Sequence, residues 1–275
     1  MLVTLKQILA DAEKGKYAVG SFNTPNMTSL RAVIGAAEEL NRPVIIMHAQ
    51  VHEEMGLCKM EEIAPVMLMF AERAKVPVCV HLDHGTDLDY VKKGFELGFT
   101  SVMYDGSVLP TEENVKNTKE AVQAAKKTGA SVEAEIGSMG AREGGDGGSS
   151  SIYTDPDAAV KFVADTGIDA LACAFGTVHG FYKETPKLDF ERLSEIYSRI
   201  DVPIVMHGGS GVSEKDYREV IKRGVRKVNY YTYMAKAGGE AISNKEYAQF
   251  HDALLDAEKA MKENVKAAIG IFAGM

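Results

Sequence analysis

Three histidines are spaced as if to share one ion. His84, His179 and His207 each follow a short apolar, β-like run and each precede a glycine, in PVCVHLDHG, DALACAFGTVHG and PIVMHGG. Three imidazoles brought to one rim would form an open catalytic metal site, with three protein nitrogens and a position left for substrate. Asp83 directly precedes the first of them. A carboxylate there would exchange a proton with a substrate hydroxyl or hydrogen-bond the ligands from behind. Asp105, in VMYDGS, is placed to orient His84 through its second ring nitrogen, or else is an ordinary turn aspartate. His81 reads as structural, and His48, His52 and His251 lack comparable placement.

Two further stretches suggest what the ion would work on. The run His207-Gly208-Gly209-Ser210-Gly211 leads to a helix cap at Ser213, and a later strand ends in Asn229-Tyr230-Tyr231-Thr232. Glycine N–H groups and a helix N-terminus at such loops commonly hold phosphate, and Gly180 and Lys183 could add an N–H and a positive charge. Residues 137–151, GSMGAREGGDGGSSS, are too rich in glycine to order themselves and predict a mobile lid. Glu143 within it is either a solvated loop charge or a carboxylate laid over bound substrate. A Lewis acid, a proton-handling carboxylate and a phosphate anchor together suit reversible carbon–carbon bond chemistry next to a carbonyl. A Schiff-base route is disfavoured because ALACAF carries no lysine. A zinc hydrolase stays open, although YAVGSFN offers no His-x-His.

The elements that must hold these groups follow a regular rhythm. Apolar, β-branched runs at 17–23, 43–49, 76–82, 100–104, 130–136, 170–174, 202–206 and 227–231 alternate with helical patterns at 28–40, 61–74, 86–97, 112–128, 155–165, 189–200 and 213–223. Thr111 and Asp155-Pro156 read as helix starts. Eight such units predict a closed (β/α)8 TIM barrel, a single domain over residues 1–275, with the histidines at the C-terminal ends of its third, sixth and seventh strands. An open doubly wound sheet is the runner-up, but G-x-G-x-x-G is absent after the first strand. Residues 236–275 read as helices that cap the barrel or mediate assembly.

Composition sets the limits. The 275 residues are 45% hydrophobic and 25% charged, ordinary for a soluble enzyme. A net charge of −8 argues against nucleic acid or an anionic membrane as partner. Cys58, Cys79 and Cys173 lack C-x-x-C spacing and fit free thiols in a reducing cytoplasm. The opening MLVTLKQILADAEKGKY reads as an amphipathic helix rather than a signal peptide, and no run is long enough to span a membrane.

Taken in order, FNTPN, HLDHG, VMYDGS, EAEIG, GTVHGFYK, PKLDFERL, HGGSG and KVNYYT resemble the class II, metal-dependent ketose-bisphosphate aldolases of the fructose- and tagatose-bisphosphate type. The match runs through nearly the whole chain. It implies zinc on His84, His179 and His207, with Asp105 and Glu135 behind the ligands. It implies Asp83 as the acid/base at the C4 hydroxyl and Glu143 as the group that moves the proton on the dihydroxyacetone phosphate carbon, through an enediolate. It implies Gly180, Lys183, Gly208, Ser210, Asn229 and Thr232 around the C1 phosphate, in some members with a monovalent cation, and Asn23 facing substrate. Family members are usually homodimers or homotetramers. Fructose 1,6-bisphosphate is the default substrate. Tagatose 1,6-bisphosphate, or another ketose 1-phosphate lacking the far phosphate, is the alternative, and a non-catalytic sugar-phosphate-binding subunit is a remoter one. Three departures bear on this choice: Ala49-Gln50-Val51-His52 replaces a serine-and-glycine turn, Tyr231 and Tyr233 stand where acids are common, and no arginine follows Arg226. His251 lies near the place of that late arginine. These changes predict that the aldehyde half differs from glyceraldehyde 3-phosphate.

Overall fold

A computed structural model describes residues 1–137, 153–178, 180 and 186–275. The first half contains β1 (Leu2–Val3), α1 (Leu5–Gly15), β2 (Val19–Asn23), α2 (Met27–Leu40), β3 (Val44–Ala49), α3 (Gln50–Glu54), α4 (Met60–Arg73), β4 (Val78–Gly85), α5 (Leu88–Glu96) and β5 (Ser101–Tyr104). The second contains α6 (Thr111–Thr128), β6 (Ser131–Ile136), α7 (Pro156–Thr166), β7 (Ala170–Cys173), α8 (Phe190–Arg199), β8 (Ile204–Met206), α9 (Glu214–Lys222), β9 (Val225–Asn229), α10 (Thr232–Ile242) and α11 (Phe250–Phe272). Strands β2 to β9 pair in parallel in chain order and β9 returns to β2, so they close a TIM barrel. β1 pairs only with the start of β4, Leu2 beside Val78.

The strand pleat sends alternate residues inward, and their chemistry changes with height. At the N-terminal end Val19, Ile45 and Cys79 are buried with Leu5, Ile8, Leu9 and Ala12 of α1, which plugs the barrel floor. Two residues further along β2 and β4 come Ser21 and His81, and with Glu133 of β6 and Lys227 of β9 they make a fully buried polar layer. Two further still lie Asn23, Asp83, Asp105, Glu135, His207 and Asn229. The opposite parity, Val44, Ile46, Val80, Leu82, Val132 and Ala134 among others, packs outward against the helices. Apolar positions build the scaffold while every second position carries the polar interior.

Local chemistry explains the helix starts. Thr4 and Gln7 form a capping box on α1, Asp155 accepts from Ala158 N–H at 2.9 Å on α7 with Pro156 behind it, and Ser213 accepts from Asp216 N–H at 3.1 Å on α9. Thr111 is not a cap: Pro110 takes that position and offers no side-chain bond. Neither β1 nor α3 is foreseen by the sequence rhythm, since both are too short to show a period. The last barrel strand ends at Asn229, two residues before its predicted end, because the chain turns through Tyr230 and Tyr231 into α10. β4 runs on through Gly85, so Asp83 and His84 belong to the strand end itself.

Candidate active site

His84 leaves β4 with φ at +47°, a left-handed conformation uncommon for a residue with a side chain and concentrated at functional sites. Its imidazole donates from Nδ1 to Asp105 Oδ2 at 2.9 Å. His207, just past β8, donates from Nε2 to Glu133 Oε1 at 2.8 Å. With each outer nitrogen committed to a carboxylate, His84 Nε2 and His207 Nδ1 face one another at 2.8 Å. Asp83 completes the group: one ligand atom from each of Asp83, His84 and His207 lies within 4.8 Å of the others. A second set, His84, Asp105 and Glu135, meets the same distance, but Asp105 and Glu135 are buried away from the cleft.

Asp83 is held from both sides. Asn23 Nδ2 donates to its Oδ2 at 3.0 Å and Asn229 Nδ2 to its Oδ1 at 3.1 Å; Asn229 also stands 3.3 Å from His207 Nδ1. Burial pushes the Asp83 carboxyl up, but the charges of His84, His207 and Lys227 outweigh it and hold the group well below the usual carboxylate range. Burial would likewise lower His84, yet Asp83 and Asp105 raise it to about 10. His207 is pushed down by burial and by His84, with Glu133 acting in the opposite sense. Glu135 is raised well above its ordinary value by burial and by Asp105. Two imidazoles fixed by carboxylates with their remaining nitrogens converging are donors that suit a divalent ion, and Asp83 beside them adds negative charge close to where such an ion would sit.

The site opens into a cleft whose lining includes Asn23, Asp83, His84 and Asn229. Gly180, Gly208, Gly209, Ser210 and Thr232 line one side of it. Gly208 has φ +61°, and a Cβ on Gly209 would come within 2.7 Å of Asn229 O, so this turn requires glycine. Gly209 N–H is used within the turn, donating to Asn229 O at 3.0 Å, and Tyr231 N–H donates to Ser210 Oγ at 3.2 Å. Gln50, Val51, Glu54 and Thr86 line the cleft elsewhere, with Tyr231.

The described residues therefore bring together Asn23, Asp83, His84, Asp105, Glu135, His207, Gly208, Ser210, Asn229, Thr232 and Gly180. Glu143, His179 and Lys183 lie outside them, as does the predicted lid beyond Gly137. Sequence reasoning missed Glu133 and Lys227. Lys227 Nζ sits 2.9 Å from Glu133 Oε2 with both side chains fully buried, and it stands 3.4 Å from His81 Nε2. Their signal was strand parity: each lies two residues before an inward-facing residue of the top layer, Glu135 or Asn229. His48 and His52 prove buried, whereas His251 is exposed.

The family described as fructose-bisphosphate aldolase class-II matches residues 3–274. A fructose-bisphosphate aldolase of Staphylococcus aureus is 38% identical over 278 residues, covering 98% of this chain and 97% of the relative. A 6-phospho-5-dehydro-2-deoxy-D-gluconate aldolase of Halalkalibacterium halodurans is 41% identical over 242 residues, 88% of this chain and 84% of the relative. Among solved structures, the YdjI aldolase of Escherichia coli K12 superposes with a TM-score of 0.90 at 35% identity, covering 99% of this chain and 97% of the other.

Proposed function

The chain belongs to the class II fructose-bisphosphate aldolase family, and from that membership we propose how its rim residues cleave a ketose phosphate. Aldol cleavage is the family's reaction, and this protein is a lyase of that kind. His84 and His207, joined by His179, would hold the zinc ion. A bound zinc ion supplies the Lewis acid that the carbonyl of the substrate needs.

Asp83 takes the proton from the C4 hydroxyl. Its ionised state and its grip between Asn23 and Asn229 support that role, since one amide aims each of its two oxygens. As the proton leaves, C4 becomes an aldehyde carbon and the C3–C4 electron pair passes to C3, conjugated with the C2 carbonyl as an enediolate. The aldehyde departs, and a proton delivered to C3 gives dihydroxyacetone phosphate; Glu143 is the proposed donor. Asp105 and Glu133 keep the imidazoles turned toward the cleft. Gly180, Lys183, Gly208, Ser210 and Thr232, where α10 begins, would receive the C1 phosphate, as would a monovalent cation of the kind some family members use there. Asn229 serves Asp83 as well as the substrate. Fructose 1,6-bisphosphate is the first substrate to assay, because relatives carry that name. From its likeness to the family, the cytoplasm is the proposed compartment and a homodimer or homotetramer the proposed assembly. No described helix is long and apolar enough to cross a membrane.

One observation carries this reading: a carboxylate clamped by two amides at an open cleft, beside two imidazoles whose Nε2 (His84) and Nδ1 (His207) atoms converge to 2.8 Å. Zinc-loaded protein should release dihydroxyacetone phosphate in a coupled assay, lose the activity to a chelator and regain it with zinc. Asp83→Asn should lower kcat by about 10²–10⁴-fold while zinc content stays unchanged. Full activity in metal-stripped protein, or an Asp83→Asn enzyme within about tenfold of the parent, would refute the mechanism.

A further inference from the structure

We propose that Glu54, braced by Gln50, is a specificity-determining residue at the aldehyde end of the cleft, favouring ketose 1-phosphates with an uncharged, hydroxylated far end over those carrying a second phosphate. The inference rests on the aldolase reading above, which puts the C1 phosphate between the ends of β8 and β9. Asp83 must face C4, so the departing half of the sugar extends from β4 toward β3, where α3 forms the wall.

The wall is built rather than incidental. Gln50 Oε1 accepts from the N–H of Thr86, two residues beyond His84, at 2.9 Å. Its Nε2 donates to Glu54 Oε1 at 3.1 Å. Gln50 thus ties the Glu54 carboxylate to the strand end that carries His84. The helix itself is pinned from below: Glu53 Oε2 accepts from Tyr90 OH at 2.8 Å and from Met60 N–H at 2.9 Å, and His48 Nε2 lies 3.0 Å from that hydroxyl. Among the described residues lining the cleft there is no lysine or arginine, while Asp83 and Glu54 are both carboxylates. A phosphate dianion arriving at this wall meets like charge, whereas a sugar hydroxyl can donate to the carboxylate. Glu54 is exposed, so the discrimination is screened by salt.

The test compares kcat/KM for fructose 1-phosphate and fructose 1,6-bisphosphate, and for the corresponding tagatose pair, using the zinc-loaded full chain. The parent enzyme should cleave the 1-phosphates at least as efficiently as the bisphosphates. Glu54→Lys should move the ratio toward the bisphosphate by about tenfold or more, mainly through KM, and Glu54→Gln by about threefold. Both shifts should shrink in about 0.5 M salt. A ratio unmoved within about twofold in both variants overturns the proposal, as does a parent that prefers the bisphosphate by about tenfold or more. Release of dihydroxyacetone phosphate with such an indifferent ratio sinks this inference alone; no release from any of the four substrates takes the aldolase mechanism with it.

Discussion

Glu133 never meets solvent, yet it selects which nitrogen of His207 faces His84. Its Oε1 occupies His207 Nε2, and Lys227 compensates its charge from the other side. Burial alone would raise its carboxyl, but Lys227 and His207 bring it down to about 2, so the acceptor stays ionised. Glu133→Gln should therefore weaken zinc binding by about 10–100-fold, read by competition with a chromophoric chelator. Lys227→Met strands a buried carboxylate and should cost about 3–5 kcal/mol in denaturant unfolding, a loss that Glu133→Gln in the same chain should partly reverse. Unchanged zinc affinity in Glu133→Gln would show that His207 needs no such partner. At this scale the sequence was only half legible. The spacing of Asp105 from His84 suggested the contact the fold makes, because both end adjacent strands. Glu135 was singled out in EAEIG, while Glu133, one pleat deeper, makes the direct bond. Parity tells that a residue points inward but not which atom it reaches.

At the scale of elements, the five-residue α3 is held by side chains from its neighbours rather than by its own length. His48 of β3 and Tyr90 of α5 meet beneath it, with Glu53 of α3 closing the chain. Burial lowers the His48 pKa from 6.5 to about 4, although Glu53 pulls the other way. Because the folded value lies below the unfolded one, the unfolded chain takes up the proton first. Stability is kept above about pH 6.5 and drains as the pH falls toward 4, with this residue's share reaching about 3 kcal/mol. His81, lowered to about 3 by burial and by Lys227, adds in the same sense. Denaturant unfolding between pH 7 and 4.5 should show a slope that His48→Gln makes shallower; an identical slope would rule His48 out as a contributor. The long strands and helices were readable because aliphatic runs bounded by caps leave little choice. α3 was not, since its position depends on His48, Tyr90 and Glu53 meeting across distant parts of the chain.

Across the whole molecule, the barrel separates what holds it together from what it does. Eight alternations of strand and helix were enough to predict closure, and with it the rim on which Asp83, His84 and His207 meet. The opposite end could not be read: an amphipathic first helix was visible, but its plugging of the floor depends on inward residues of several strands at once. Leu9 is fully buried there, within a cluster that includes Val19, Ile45 and Cys79. Glu13, further along the same helix, accepts from Arg226 Nε at 2.6 Å and from Tyr197 OH at 2.6 Å. Leu9→Ala leaves a cavity the rigid strands cannot close and should cost about 2–5 kcal/mol, lowering the melting temperature by roughly 3–9 °C. Zinc content and kcat measured well below that temperature should stay near those of the parent, because the floor and the rim are joined by strands that do not need Leu9 to keep their register. A variant that keeps its melting temperature but loses zinc would mean that the helix acts on the rim directly, and that the two ends of this barrel are not independent.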